Sequence, residues 1–155
     1  MQKRLTNRIQ SAQFQRTHLL KGYQLRFHKR SPDGSAKADA YFTSSPNHEL
    51  WCALYRIHAQ DKPELDAIEG VGDGYEIRKT AIDEGIAFFY VAQSSHIEPS
   101  LKPYCWYHAY VLEGARQRQL PHHYIQSITD VEVWEDQHVE RHARNWNLLG
   151  TTCQR

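Results

Sequence analysis

The 155-residue sequence predicts a single α+β domain. Three observations predict it. Short apolar or alternating runs recur at 22–28, 38–43, 50–57, 75–82 and 86–92, the lengths and patterns of strands. Segments at 2–14, 61–69, 103–118 and 136–149 instead repeat their apolar positions every three or four residues, as helices do. Hydrophobic residues make up 40% of the chain and charged residues 24%, an ordinary mixture for one domain with a real core.

Taken in order, residues 2–14 predict a helix, with Leu5, Ile9 and Ala12 as a narrow stripe among Lys3, Arg4, Arg8 and glutamines. From Gly22 to His28, Tyr23, Leu25 and Phe27 alternate with Gln24, Arg26 and His28, which predicts a half-buried strand. Ser31 to Lys37 is a loop with a Pro-Asp-Gly turn at 32–34. Its basic residues Lys29, Arg30 and Lys37 read as a solvated loop rather than an anion site. Ala38–Thr43 and Leu50–Ile57 are strands. The second is apolar at nearly every position, as if covered on both faces.

A short helix then starts at Asp61, which can cap it, with Pro63 in its first turn and Glu64 completing a capping box. It should bury Leu65 and Ile68, and Gly70 should end it in a left-handed conformation. Tyr75–Ile82 and Ile86–Ala92 form a hairpin about the turn Asp83-Glu84-Gly85. Gln93–Pro103 is a polar loop. A helix runs from Pro103 to about Arg118 with Tyr107, Val111 and Gly114 or Ala115 on one face. After Leu120-Pro121 a shorter helix carries Tyr124, Ile125 and Ile128, and a last helix lies near 136–149.

Composition excludes several classes of function. A formal net charge of +1 gives no bulk attraction to nucleic acid or to an anionic membrane. No apolar run reaches membrane-spanning length, and the first residues lack a signal-peptide core. Cys52, Cys105 and Cys153 are odd in number and far apart, against a disulfide framework or zinc site. A reduced, cytoplasmic protein is expected.

Glu69 is the residue that stands out. It is four positions after Leu65, so it shares that residue's face at the helix C-terminus. Burial and the negative end of the helix both raise a carboxyl pKa, which suits a group that takes and returns a proton. A carboxylate solvated in the last turn, or paired with a basic residue, fits the same pattern. Other constellations carry less. His138 and His142 are i, i+4 but lack the acidic partner of a metal-binding His-Glu-x-x-His, so no metal is expected. His28 and His108 have no partner visible in the sequence. Gly70, Gly72 and Gly74 neither follow a strand nor open a helix, against a dinucleotide loop. No nucleophile elbow is present.

The run Leu65-Asp66-x-x-Glu69-Gly70-Val71, followed by Gly72-x-Gly74-Tyr75, resembles the catalytic segment of the gamma-glutamylcyclotransferase-like (AIG2-like) family. Gly22–Ser31, Asp33–Ala40, Pro99-Ser100 through Pro103-Tyr104, and Gly114-Ala115 before Leu120-Pro121 match in order, so the resemblance spans about Leu5 to Ile128. It implies a small mixed β-barrel with helices around it and the active site at the barrel mouth. It implies cyclisation of a small-molecule gamma-glutamyl amino acid or amine to 5-oxoproline, with no cofactor. Glu69 is then the catalytic proton acceptor, and Tyr75, Tyr104 and Gly70 bind substrate. Family members open with a strand ending in Tyr-Gly-Ser-Asn-Met, whose N–H groups hold the substrate, and this sequence has no such segment. Either it is encoded upstream of Met1, or the chain lacks it and is a non-catalytic small-ligand-binding homologue. Without that strand a barrel edge stays unpaired, which favours a homodimer.

Overall fold

The computed structural model describes residues 2–150, with side chains described from Leu5 onward. Its elements run α1 (Gln2–Arg8), β1 (Gln13–Lys21), β2 (Tyr23–Arg30), β3 (Ala36–Phe42), β4 (Glu49–Arg56), α2 (Lys62–Glu69), β5 (Tyr75–Ile82), β6 (Gly85–Ala92), α3 (Cys105–Gln117), α4 (His122–Thr129) and α5 (Val139–Leu149). This is an α+β fold in one chain of interleaved strands and helices, as the apolar periodicities require.

The strands form three antiparallel ladders, β1 with β4, β2 with β3 and β5 with β6. Backbone hydrogen bonds do not join the ladders into a closed ring among the described residues. Side chains help link them. Asp39 of β3 accepts a 2.7 Å hydrogen bond from the Ala92 amide of β6. The main core lies between the strands and the α3–α4 pair: Leu20, Leu50, Val111, Ala115, Tyr124 and Ile128 are buried together. A second core, Ile9, Ala12 and Leu65, sits under α1 and α2. Burial of apolar surface in these two clusters is the main stabilising term.

Four expectations are corrected. The helix expected over 2–14 ends at Arg8, and residues 13–21 are a strand that pairs with β4 from Gln13↔Arg56 to Lys21↔Glu49. Ile9 and Ala12 are buried as the stripe required, but on the turn out of α1. A bulge between Phe14 and Arg16 breaks the alternation that would have marked the strand. The strand expected to be covered on both faces, β4, buries only Leu50 fully and exposes Ala53, because it belongs to a two-stranded ladder. Asp61 does not cap α2: its carboxylate accepts the Ser11 hydroxyl, and Ser11 Oγ accepts the His58 amide at 3.0 Å. Ile68 is 37% exposed, since two turns of helix bring only Leu65 onto the second core.

The polar interior is built from pairs that lie far apart in sequence. His28 Nε2 is 2.8 Å from Asp39 Oδ2, and His108 Nε2 donates to the Ile128 carbonyl at 2.7 Å. Asp136 is buried and accepts from Trp106 Nε1, the His138 amide and the Arg141 guanidinium. The Arg141 guanidinium holds the Asp136 carboxyl well below the usual carboxylate range. Cys52 and Cys105 form no disulfide, and Cys153 lies outside the described residues. Among the described residues no helix is long and apolar enough to cross a membrane.

Candidate active site

The site is built from one tight turn. α2 ends at Gly70, whose φ of 74° and ψ of 45° are left-handed and suit a residue without Cβ. The Val71 amide reaches back to the Asp66 carbonyl at 3.0 Å, and the Tyr75 amide to the Gly70 carbonyl at 3.2 Å. The loop 70–74 therefore folds over the end of the helix and delivers the chain into β5. This places Glu69, half-buried in the last turn of α2, beside the start of β5.

Two phenols lie within electrostatic reach of this carboxylate. Burial pushes the hydroxyl pKa of Tyr75 well above its ordinary range, and the charge on Glu69 adds to the effect. The same holds for Tyr90, mainly through burial and its hydrogen bond to Asp66. Asp66 accepts from Tyr90 at 2.7 Å and from Lys62 at 2.6 Å. Asp66 thus holds α2 to β6, while the charge on Glu69 acts on both phenols and on Lys29.

The tyrosines expected at the site are both tied to the β2–β3 hairpin. Tyr75 Oη donates to the Ala38 carbonyl at 2.7 Å, so its link to Glu69 is electrostatic. Tyr104 Oη donates to the Asp33 carbonyl at 3.0 Å, and burial raises its pKa. The first amide of α3, on Cys105, donates to the Trp134 carbonyl, so it is not open to a ligand. Glu69, Gly70 and Tyr75 come together within one turn, whereas Tyr104 anchors the far end of the neighbouring hairpin.

Lys29 is the residue that sequence reasoning missed. In place of a solvated basic loop, Lys29 is buried, and Lys37 forms a 2.6 Å ion pair with Asp33. A bulge in β2 at His28, between Phe27 and Lys29, turns two consecutive residues inward, where strict alternation would expose one. Lys29 Nζ lies 4.8 Å from the centre of the Tyr75 ring, a cation–π contact on the side of the turn. Burial pushes the Lys29 ammonium pKa down. Lys29 lines a cleft of about 230 Å³ with Arg30, Ser31, Pro32, Asp73 and His96. A larger open groove of about 800 Å³ runs between β3 and β6 past Asp39, Tyr41 and Gln93. Among the described residues no three His, Cys, Asp or Glu side chains converge as metal ligands would.

The model of the AIG2-like family matches residues 49–128, from β4 through α4. The chain belongs to the AIG2-like family. Glu69, Gly70, Tyr75 and Tyr104 fall inside the matched span, and Lys29 falls outside it. Among solved structures, the fold is similar to that of a gamma-glutamyl cyclotransferase, with a TM-score of 0.74 and 22% identity over 91% of this chain and 90% of that one. The uncharacterized protein loc79017 from Homo sapiens matches with the same values. YkqA from Bacillus subtilis matches with a TM-score of 0.60 and 16% identity, over 86% of this chain and 50% of that one. No curated protein sequence matches the chain. The α+β architecture is therefore the gamma-glutamyl cyclotransferase fold.

Proposed function

We propose that the chain is a gamma-glutamylcyclotransferase-type enzyme with Glu69 as its acid–base group. One observation carries the reading. A glutamate stands half-buried at the end of α2, beside phenols whose pKa its charge helps raise, under a turn that only a left-handed glycine closes. The family membership and the shared fold support it.

In this reaction the substrate's own α-amino group attacks its γ-carbonyl carbon. Nucleophile and electrophile are tethered, so ring closure needs positioning rather than capture of a second molecule. Glu69 takes a proton from the α-ammonium, the C–N bond of the ring forms, and a tetrahedral oxyanion results. Glu69 then returns the proton to the departing amine as its C–N bond to the γ-carbon breaks, leaving 5-oxoproline. Neither a metal nor an organic cofactor enters this balance. The buried Tyr75 hydroxyl stays protonated and holds β3 against the turn, while Gly70 sets the carboxylate's approach. Cys52 and Cys105 outside any disulfide fit a reducing compartment such as the cytoplasm.

The test is 5-oxoproline release from γ-glutamylalanine, measured by chromatography, in the wild type and in Glu69→Gln. Loss of a general acid–base group is expected to lower the rate by about 100- to 10,000-fold, with the urea midpoint unchanged. Full activity in Glu69→Gln ends the proposal. Binding of γ-glutamylalanine by the wild type without turnover would make the chain a small-ligand-binding member of the family instead.

A further inference from the structure

Lys29 takes no part in the reaction set out above, and its setting is unfavourable for a cation. The residue is only 7% exposed. Among the described residues its Nζ donates to no hydrogen bond and joins no ion pair, and the Tyr75 ring is its close neighbour. A buried charge without a partner is normally removed or paired. Here the backbone makes room for it twice. The bulge at His28 turns it inward, and Gly74 at φ 121° leaves open the space its Nζ occupies: a Cβ there would stand 2.7 Å from Lys29 Nζ.

The surroundings of the cleft favour an anion. Arg30 adds a second cation to its lining, and His96 also borders it. Asp73, Asp33 and Glu69 act on the ammonium through space, but among the described residues none forms an ion pair with it. Asp33 is paired with Lys37, and Asp73 is almost fully in solvent, 3.9 Å from His96. The Lys29 ammonium packs on the Tyr75 ring, and the charge on Glu69 acts on both residues.

We propose that the Lys29 cleft is a carboxylate-binding site, with the Lys29 ammonium, which no carboxylate of the described residues pairs with directly, as the counter-charge. The inference rests on the proposed reaction for one point only, that the carboxylate belongs to a γ-glutamyl substrate. Two carboxylates of such a substrate have the right chemistry: that of the γ-glutamyl group and that of the departing amino acid. γ-Glutamylalanine carries both, and γ-glutamylethylamine carries only the first.

The experiment follows the Cε resonance of Lys29 in the full chain, labelled with ¹³C-lysine and assigned by its loss in Lys29→Met. N-acetylglycine, inorganic phosphate, γ-glutamylalanine and γ-glutamylethylamine are titrated in turn. Saturable movement of the Lys29 resonance with N-acetylglycine and γ-glutamylalanine is expected, with affinity for γ-glutamylalanine about tenfold weaker or more in Lys29→Met. A Lys29 effect on both γ-glutamyl compounds assigns the γ-glutamyl carboxylate, and an effect on γ-glutamylalanine alone assigns that of the departing amino acid. A Lys29 resonance that neither carboxylate probe moves overturns the proposal, whether or not 5-oxoproline forms. A response to phosphate as strong as that to the carboxylates overturns the assignment to carboxylates. Movement of the resonance without any 5-oxoproline release upholds the site and overturns the reaction instead.

Discussion

Gly74→Ala tests whether the turn and Lys29 are built as one unit. Two costs separate cleanly. At φ 121° an L-residue is strained whatever its surroundings, at about 1–3 kcal/mol. The new methyl group would also stand 2.7 Å from Lys29 Nζ and 2.8 Å from Cε, against an ordinary contact of 3.4 Å or more. The Lys29 tip must therefore move by more than half an ångström. Urea unfolding followed by tryptophan fluorescence gives both terms through a double-mutant cycle with Lys29→Ala. In the Lys29→Ala background only the backbone strain remains, so Gly74→Ala should cost less there, by about 0.5–1 kcal/mol. The same cost in both backgrounds would refute the claim that Gly74 exists to admit Lys29. A further loss of γ-glutamylalanine affinity in Gly74→Ala alone is expected if the displaced ammonium is the ligand's partner.

Other perturbations follow from the same geometry. Asp39→Ala leaves His28 and the Ala92 amide without their shared acceptor in the interior, and should cost about 3–5 kcal/mol in urea, with the m-value unchanged; a loss under 1 kcal/mol would show that the hairpins do not depend on it. Asp136 has a folded pKa held below its unfolded value by Arg141, so its contribution is full above about pH 4 and is lost as pH falls through the folded value. Asp136→Asn should therefore lower stability by about 3 kcal/mol at pH 7 and by less at pH 3, with the acid limb of the stability curve flattened. Lys29 has the opposite placement on the pH axis. Its folded pKa lies below its unfolded value, so the folded chain binds fewer protons between the two, and stability rises with pH through that window toward about 10.5. Lys29→Met should raise stability at pH 7 by about 1–2 kcal/mol and abolish that rise.

The parts legible in the sequence are those whose signals lie within one element. The β5–β6 hairpin follows from the mixed run Tyr75–Ile82 and the apolar run Ile86–Ala92 around Asp83-Glu84-Gly85, and its bounds are Tyr75–Ile82 and Gly85–Ala92. α2 stops at Gly70 because the chain needs a left-handed residue there. What escaped the sequence depends on register between elements. His28 meets Asp39, eleven residues away across a hairpin, and His108 meets the Ile128 carbonyl through the packing of α3 on α4. Asp61 carries every local mark of a cap, yet Ser11 offers it a partner from β1's approach, and the tertiary contact prevails over the local preference.

The two places where alternation misleads are both bulges, and they differ in consequence. At Phe14–Arg16 the extra residue conceals a strand and nothing chemical follows. At His28 it brings an imidazole and an ammonium inside together. His28 finds a carboxylate there, so its burial is compensated within the fold. Lys29 finds an aromatic face and a cleft, and among the described residues no carboxylate pairs with it directly, though Asp73, Asp33 and Glu69 act on it through space. A sequence rule fails at Lys29 because the rule describes what stabilises a strand, and this residue does not stabilise it. Retaining an ammonium against that cost makes physical sense when something outside the chain supplies the missing charge, and a ligand carboxylate beside Glu69 supplies it.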